Sequence, residues 1–163
     1  MATVTLKGNE IHTQGELPNV GTKLSNFTLV NAQLAEKTLA DYAGKRLVLT
    51  IFPSIDTGTC AASVRHFNAA SANLPNTVVL CISKDLPFAS ARFCAAEGIA
   101  NVETLSAFRS TDFDALVFAD GPLKGLLSRG IIVVDENGKI VHTEQVAEIV
   151  NEPNYAAVIS ALS

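Results

Sequence analysis

Residues 46–52 read RLVLTIF, apolar at five of seven positions, and the run is cut off by Pro53. Proline has no N–H to offer a sheet, so the strand ends there. A strand that is apolar on both alternations is covered on both faces, which makes this run a central strand of a sheet with layers on each side. After a short polar turn, Ala61, Val64 and Phe67 recur at helical spacing. The unit is therefore strand, turn, helix. Asp56, Thr57 and Thr59 can each accept a hydrogen bond from a free backbone N–H, so the helix is expected to begin within one or two residues of Gly58.

The same logic carries along the chain. Val4–Leu6 and Ile11–Thr13 flank Gly8-Asn9 and predict an N-terminal β-hairpin. Phe27–Val30 reads as a short strand, and Thr38–Tyr42 as one helical turn ended by Gly44. The Cys60 helix is expected to stop near Asn73–Pro75, before a second buried strand, TVVLCIS, at Thr77–Ser83. Pro87 then opens a helix with Phe88, Ala91 and Ala95 on one stripe and Gly98 as its stop. Val102–Leu105 is a short strand, and Asp112–Phe118 an irregular or helical passage. Gly130–Asp135 turns at Glu136-Asn137-Gly138 into Ile140–Gln145, with Asn-Gly supplying the positive φ angles of a tight turn. Tyr155–Leu162 closes the chain as an amphipathic helix. No internal repeat interrupts this order, which is that of an α/β domain with a mixed sheet.

Cys60 falls in the first turn of its helix, where unpaired N–H groups and the positive end of the helix dipole favour thiolate over thiol. A thiolate there is a nucleophile; a small hydrophobe that merely opens a helix is the plain alternative, and position alone leaves both open. Cys81, inside an apolar strand, reads as a core thiol, and Cys94, in the third turn of the next helix, reads by itself as another. His12, His66 and His142 stand apart from any cluster at metal-ligand spacing. His12 in particular reads as a solvent-facing strand residue, and Arg129 alone as a surface charge.

Pro53, Thr57 and Cys60 together spell Pro-x-x-x-Thr-x-x-Cys, which resembles the signature of peroxiredoxins. The longer stretch Phe52-Pro53-Ser54-Ile55-Asp56-Thr57 followed by Cys60-Ala61-Ala62-Ser63-Val64-Arg65 is similar to the bacterial thiol peroxidase branch, an atypical two-cysteine group. The resemblance spans nearly the whole chain, from Val4–Asn9 to Asn151–Tyr155, and is strong again at Gly121–Leu126. It implies a thioredoxin-like fold, with a mixed sheet flanked by helices and an N-terminal hairpin, forming one domain over residues 1–163. It further implies that Cys60 is the peroxidatic cysteine and that Cys94, in Arg92-Phe93-Cys94, resolves it as an intramolecular disulfide across 34 residues. Arg129 matches the arginine that faces the reactive sulfur, Thr57 helps to hold the peroxide, and Pro53 shapes the turn and shields Cys60. By the same resemblance the substrates are hydrogen peroxide and organic hydroperoxides, the reductant is thioredoxin, and the protein is a homodimer. The segment before Ala119-Asp120-Gly121-Pro122 is shorter than the family's and lacks its Tyr-Gly pair, a departure that bears on one wall of the pocket and on a dimer contact.

Composition agrees with a redox protein working on small or protein partners. A net charge of −4 with scattered Lys and Arg gives no footprint for nucleic acid or an anionic membrane. The N-terminal stretch has neither a secretory signal pattern nor a membrane anchor, so a cytoplasmic location is expected. Three cysteines are an odd number for a disulfide-stapled secreted domain. No metal, flavin or nucleotide cofactor is called for. Ser63 stands where a Cys-x-x-Cys oxidoreductase would have its second sulfur, and spacing assigns no His–Asn or His–Asp pair to Cys60 for a hydrolase. A peroxide sensor using the same residues stays open.

Overall fold

The computed structural model describes every residue from Met1 to Ser163. Its strands are β1 (Thr3–Leu6), β2 (Asn9–His12), β3 (Thr28–Asn31), β4 (Glu36–Thr38), β5 (Arg46–Ile51), β6 (Thr77–Ser83), β7 (Glu103–Ser106), β8 (Gly130–Val134) and β9 (Ile140–Gln145). The helices are α1 (Gly58–Ser71), α2 (Pro87–Glu97) and α3 (Tyr155–Ala161), with 3-10 turns at Leu39–Tyr42 and Asp114–Leu116. β1 and β2 form a separate hairpin, and the other seven strands form one mixed sheet in the order β4-β3-β7-β6-β5-β8-β9. β5, β6 and β7 run parallel, whereas β3 and β8 pair antiparallel on either side of them. This is the mixed α/β sheet that the element order predicts, in the thioredoxin-like architecture that the resemblance implies.

β5 is central and covered on both faces, as its apolar run requires. Leu47, Leu49 and Ile51 join Leu80, Ile82, Leu105, Ile132 and Val134 on one face, closed over by Phe27, Tyr42 and Phe113. Val48 and Phe52 point the other way, with Val79, Cys81, Ile131 and Val133, against Cys60, Val64 and Phe67 of α1 and Val158 of α3. Period-2 alternation thus splits one strand between two cores. Tyr155 fixes α3 to α1 through an edge contact with Phe67 at 5.2 Å and a stack on His66 at 3.6 Å.

Local details depart from expectation in four places. The first hairpin turns at Lys7-Gly8, with φ of 52° and 82°, so Asn9 already belongs to β2. In the β8–β9 turn Gly138 alone is left-handed, at φ 80°, and the Asp135 carboxylate accepts from the amides of Asn137 and Lys139 to fold the rest. The inward face of α2 is Pro87 and Ser90, continued by Phe93 and Cys94, and Phe88 is 64% exposed. Alanines fit either face, so the Phe88, Ala91, Ala95 stripe had only one informative member. Finally, His12 is not simply solvent-facing. Its Nδ1 lies 2.7 Å from Asp120 Oδ2, and its backbone N–H donates to Asp120 Oδ1.

That pair shows what Gly121–Leu126 does in the fold. Gly121 has φ 73°, and a Cβ there would come within 2.5 Å of Ile11 Cγ2. The block therefore packs flush against the hairpin, which only glycine allows. From the opposite side Glu148 accepts from Thr5 Oγ1 and from the Lys7 and Gly8 amides, pinning the hairpin to the segment after β9.

Candidate active site

The parallel strands β5 and β6 end at the loop that holds the chemistry, at the carboxyl edge where α/β sheets expose their loops. Pro53 and Ile55 are buried there. Thr57 is the N-cap of α1: its Oγ1 accepts from the Cys60 amide at 3.2 Å and donates to the Ser54 carbonyl at 3.2 Å. Cys60 lies in the first turn, as the capping residues require, and is 0% exposed.

Arg129 precedes β8, the antiparallel neighbour of β5, and is folded inward rather than out to solvent, at 3% exposure. Its Nη2 donates to Cys60 Sγ at 3.2 Å and its Nε to the Ile149 carbonyl at 2.9 Å. Nη1 is buried with no partner. Nη1 therefore keeps donors to spare inside the site. The next residue, Val150, accepts from Thr59 Oγ1 at 3.0 Å. Two successive carbonyls therefore hold the arginine and the first turn of α1 together.

Thr57, Cys60 and Arg129 thus converge, and Pro53 stands at the same loop. Cys94 is elsewhere. All three cysteines are free, and Cys94 is half-buried against Thr104 of β7. Burial pushes the Cys94 thiol up, partly offset by the nearby Thr104 side chain. Cys81 is pushed up more strongly, by complete burial first and by neighbouring Cys94 second, as befits a core thiol. Cys60 opens α1 and Cys94 lies inside α2, as separate free thiols, and a disulfide between them needs Cα atoms within about 7 Å.

Asp85 and Glu148 went unnoticed in the sequence. Asp85 accepts from Ser54 Oγ and the Ile55 amide, both at 2.7 Å, and so holds the loop before Cys60. A carboxylate just past the end of a buried strand was the available signal. His, Cys, Asp and Glu form no group able to hold a metal ion.

A redoxin family model matches residues 19–159. Over 165 aligned residues, covering all of both chains, the sequence is 58% identical to the thiol peroxidase of Corynebacterium glutamicum. Its fold superposes on the crystal structure of a peroxiredoxin-like protein from Aquifex aeolicus with a TM-score of 0.92 at 34% identity, covering 98% of this chain and 95% of that one. A thiol peroxidase from Chromobacterium violaceum shares the fold at a TM-score of 0.90 and 22% identity, with 98% and 95% coverage. With a helix-start cysteine under a buried arginine, and a relative this close over its full length, the chain belongs to the redoxin family as a peroxiredoxin-type thiol peroxidase.

Proposed function

We propose that the enzyme reduces hydrogen peroxide and organic hydroperoxides through a sulfenic acid on Cys60, which Cys94 resolves as an intramolecular disulfide that thioredoxin reduces. The observation that carries this reading is the Arg129 guanidinium, with one nitrogen 3.2 Å from Cys60 Sγ and another left without a partner. In the first step the Cys60 thiolate attacks one peroxide oxygen. The O–O bond breaks, sulfur is oxidised to the sulfenic acid, and the leaving oxygen departs as water or an alcohol after taking a proton. The free Arg129 N–H groups and Thr57 at the helix start hold the peroxide in line and stabilise the charge moving onto the leaving oxygen. Pro53, buried and lacking an N–H, shapes the loop and shields the sulfur. Because Cys60 is wholly buried, the peroxide enters through a local opening of its shell.

In the second step the Cys94 thiol condenses with the sulfenic acid, releasing water and forming the S–S bond. A dithiol protein then reduces it by exchange, becoming a disulfide itself. Thioredoxin as that dithiol, a homodimeric assembly, a cytoplasmic setting and a single domain over residues 1–163 follow the resemblance. No helix is long and apolar enough to cross a membrane.

The test is steady-state peroxide consumption coupled to thioredoxin, compared among the Cys60→Ser, Cys81→Ser and Cys94→Ser proteins. Sustained turnover that requires Cys60 and Cys94 supports the reading. A single stoichiometric oxidation that then stops, with the reductant system active, would favour a sensor instead, and turnover without Cys60 would refute the mechanism.

A further inference from the structure

We propose that Asp85 is a positioning residue that sets the balance between the two thiol steps: it holds the closed loop in which Cys60 meets peroxide, and in doing so restrains the movement that brings Cys94 to Cys60. The inference rests on the peroxidase reading above and deepens it.

Asp85 lies between β6 and α2, two residues before the proline that opens the Cys94 helix. Its carboxylate accepts three hydrogen bonds of 2.7 Å, from Ser54 Oγ, from the Ile55 amide and from Ser83 Oγ. Its own amide donates to Ser83 Oγ at 3.2 Å, and its carbonyl accepts from Ser106 Oγ. One residue thus ties the Pro53–Thr57 loop to the ends of β6 and β7 and to the start of α2. Bonds to an ionised acceptor are roughly twice as strong as neutral ones.

Further ties run in parallel. Arg92 of α2 pairs with Asp56 of the loop at 2.7 Å, and Arg65 of α1 grips Glu97 at the far end of α2 with bonds of 3.0 and 2.7 Å. Both are exposed and individually weak. Asp85 differs in being half-buried, in bonding the loop's backbone, and in sitting where the two sulfur-bearing elements join. Ser54, which it holds, in turn accepts from the Asp56 amide through Oγ and from Thr57 through its carbonyl, so the restraint reaches the N-cap of α1 directly.

The consequence is opposite effects on successive steps. Loosening Asp85 blurs the position of Cys60 under Arg129 and slows attack on peroxide, whereas freeing the loop from the start of α2 speeds disulfide closure. General destabilisation would not produce that split.

The experiment measures two rates on reduced full-length protein: second-order loss of the Cys60 thiol with hydrogen peroxide, and first-order closure of the Cys60–Cys94 disulfide, by rapid quench and mass spectrometry. For Asp85→Asn, which keeps the shape but loses the charge and one of the two accepting oxygens, attack is expected to slow about tenfold and closure to accelerate several-fold. Should that variant fail to fold, Ser83→Ala removes one of the three bonds, leaves the loop contacts in place, and is expected to shift both rates less, in the same opposed directions. Unchanged rates, or two rates that fall together, would overturn the proposal. Absence of peroxide-dependent Cys60 oxidation in the wild type would instead overturn the peroxidase reading, so the two failures are distinguishable.

Discussion

Replacing Arg129 by alanine tests the site most directly. The guanidinium lies 3.2 Å from Cys60 Sγ, and at an effective dielectric near 20 the bare attraction between unit charges at that separation is about 5 kcal/mol. Much of this is offset by the desolvation of a cation held at 3% exposure, so it is an upper bound on what the substitution removes. What accelerates the reaction is the part felt only as charge moves onto the leaving oxygen. Deleting one preorganised donor of that kind typically slows a reaction by about 10²–10³. The expected loss in the second-order rate with hydrogen peroxide is therefore on the order of 100-fold. Arg129→Lys keeps a charge but not the planar fork that bonds the Ile149 carbonyl and the sulfur together, and should fall between, about tenfold down. The assay is pre-steady-state competition for limiting peroxide against a peroxidase of known rate, with thermal unfolding followed in parallel because alanine leaves a void. A folded alanine variant within about twofold of wild type would refute the role assigned to Arg129.

Cys60→Ser is expected to abolish turnover, whereas Cys81→Ser keeps most of it and destabilises the fold by about 1–3 kcal/mol, since a hydroxyl replaces a thiol in an apolar strand; turnover measurements and chemical unfolding of both variants check this. Amide hydrogen exchange across residues 87–98 should be slow in the reduced protein and fast after one equivalent of peroxide, because disulfide closure opens part of α2; closure with α2 and the first turn of α1 unchanged would show that no such opening occurs. Glu148 gives an acid-side test. The Thr5 hydroxyl, then the Gly8 and Lys7 amides, hold its carboxyl at about 2, below its ordinary 4.5. A depressed folded value contributes stability above the ordinary value and loses it as pH falls through the folded one. The advantage of wild type over Glu148→Gln should accordingly be full at pH 7 and shrink between about pH 5 and 2 in acid unfolding curves; a constant difference across that range would refute it.

The sequence by itself determined what is decided within about ten residues. Leu47–Phe52 had to be a doubly covered strand because both of its alternations are apolar, a helix had to start within a residue or two of Gly58 because Asp56, Thr57 and Thr59 were there to take the free amides, and Gly98 ended α2 in the left-handed conformation, at φ 65°. Those facts placed Cys60 at a helix start before any tertiary contact was considered. The meeting of Arg129 with Cys60 spans 69 residues, and the residues alone read that arginine as a surface charge; only the family resemblance placed it at the sulfur. The face that α2 buries was equally hidden, because small side chains leave a helix without a strong stripe until a sheet is laid against it. Nothing in the residues singled out Asp85, and only the parallel pairing of β5 with β6 brought the Ser54–Ile55 loop to its carboxylate. Capping and periodicity are local energies that the chain expresses in any context. The partner of a buried donor is chosen by strand order, and strand order is set by the packing of the whole sheet.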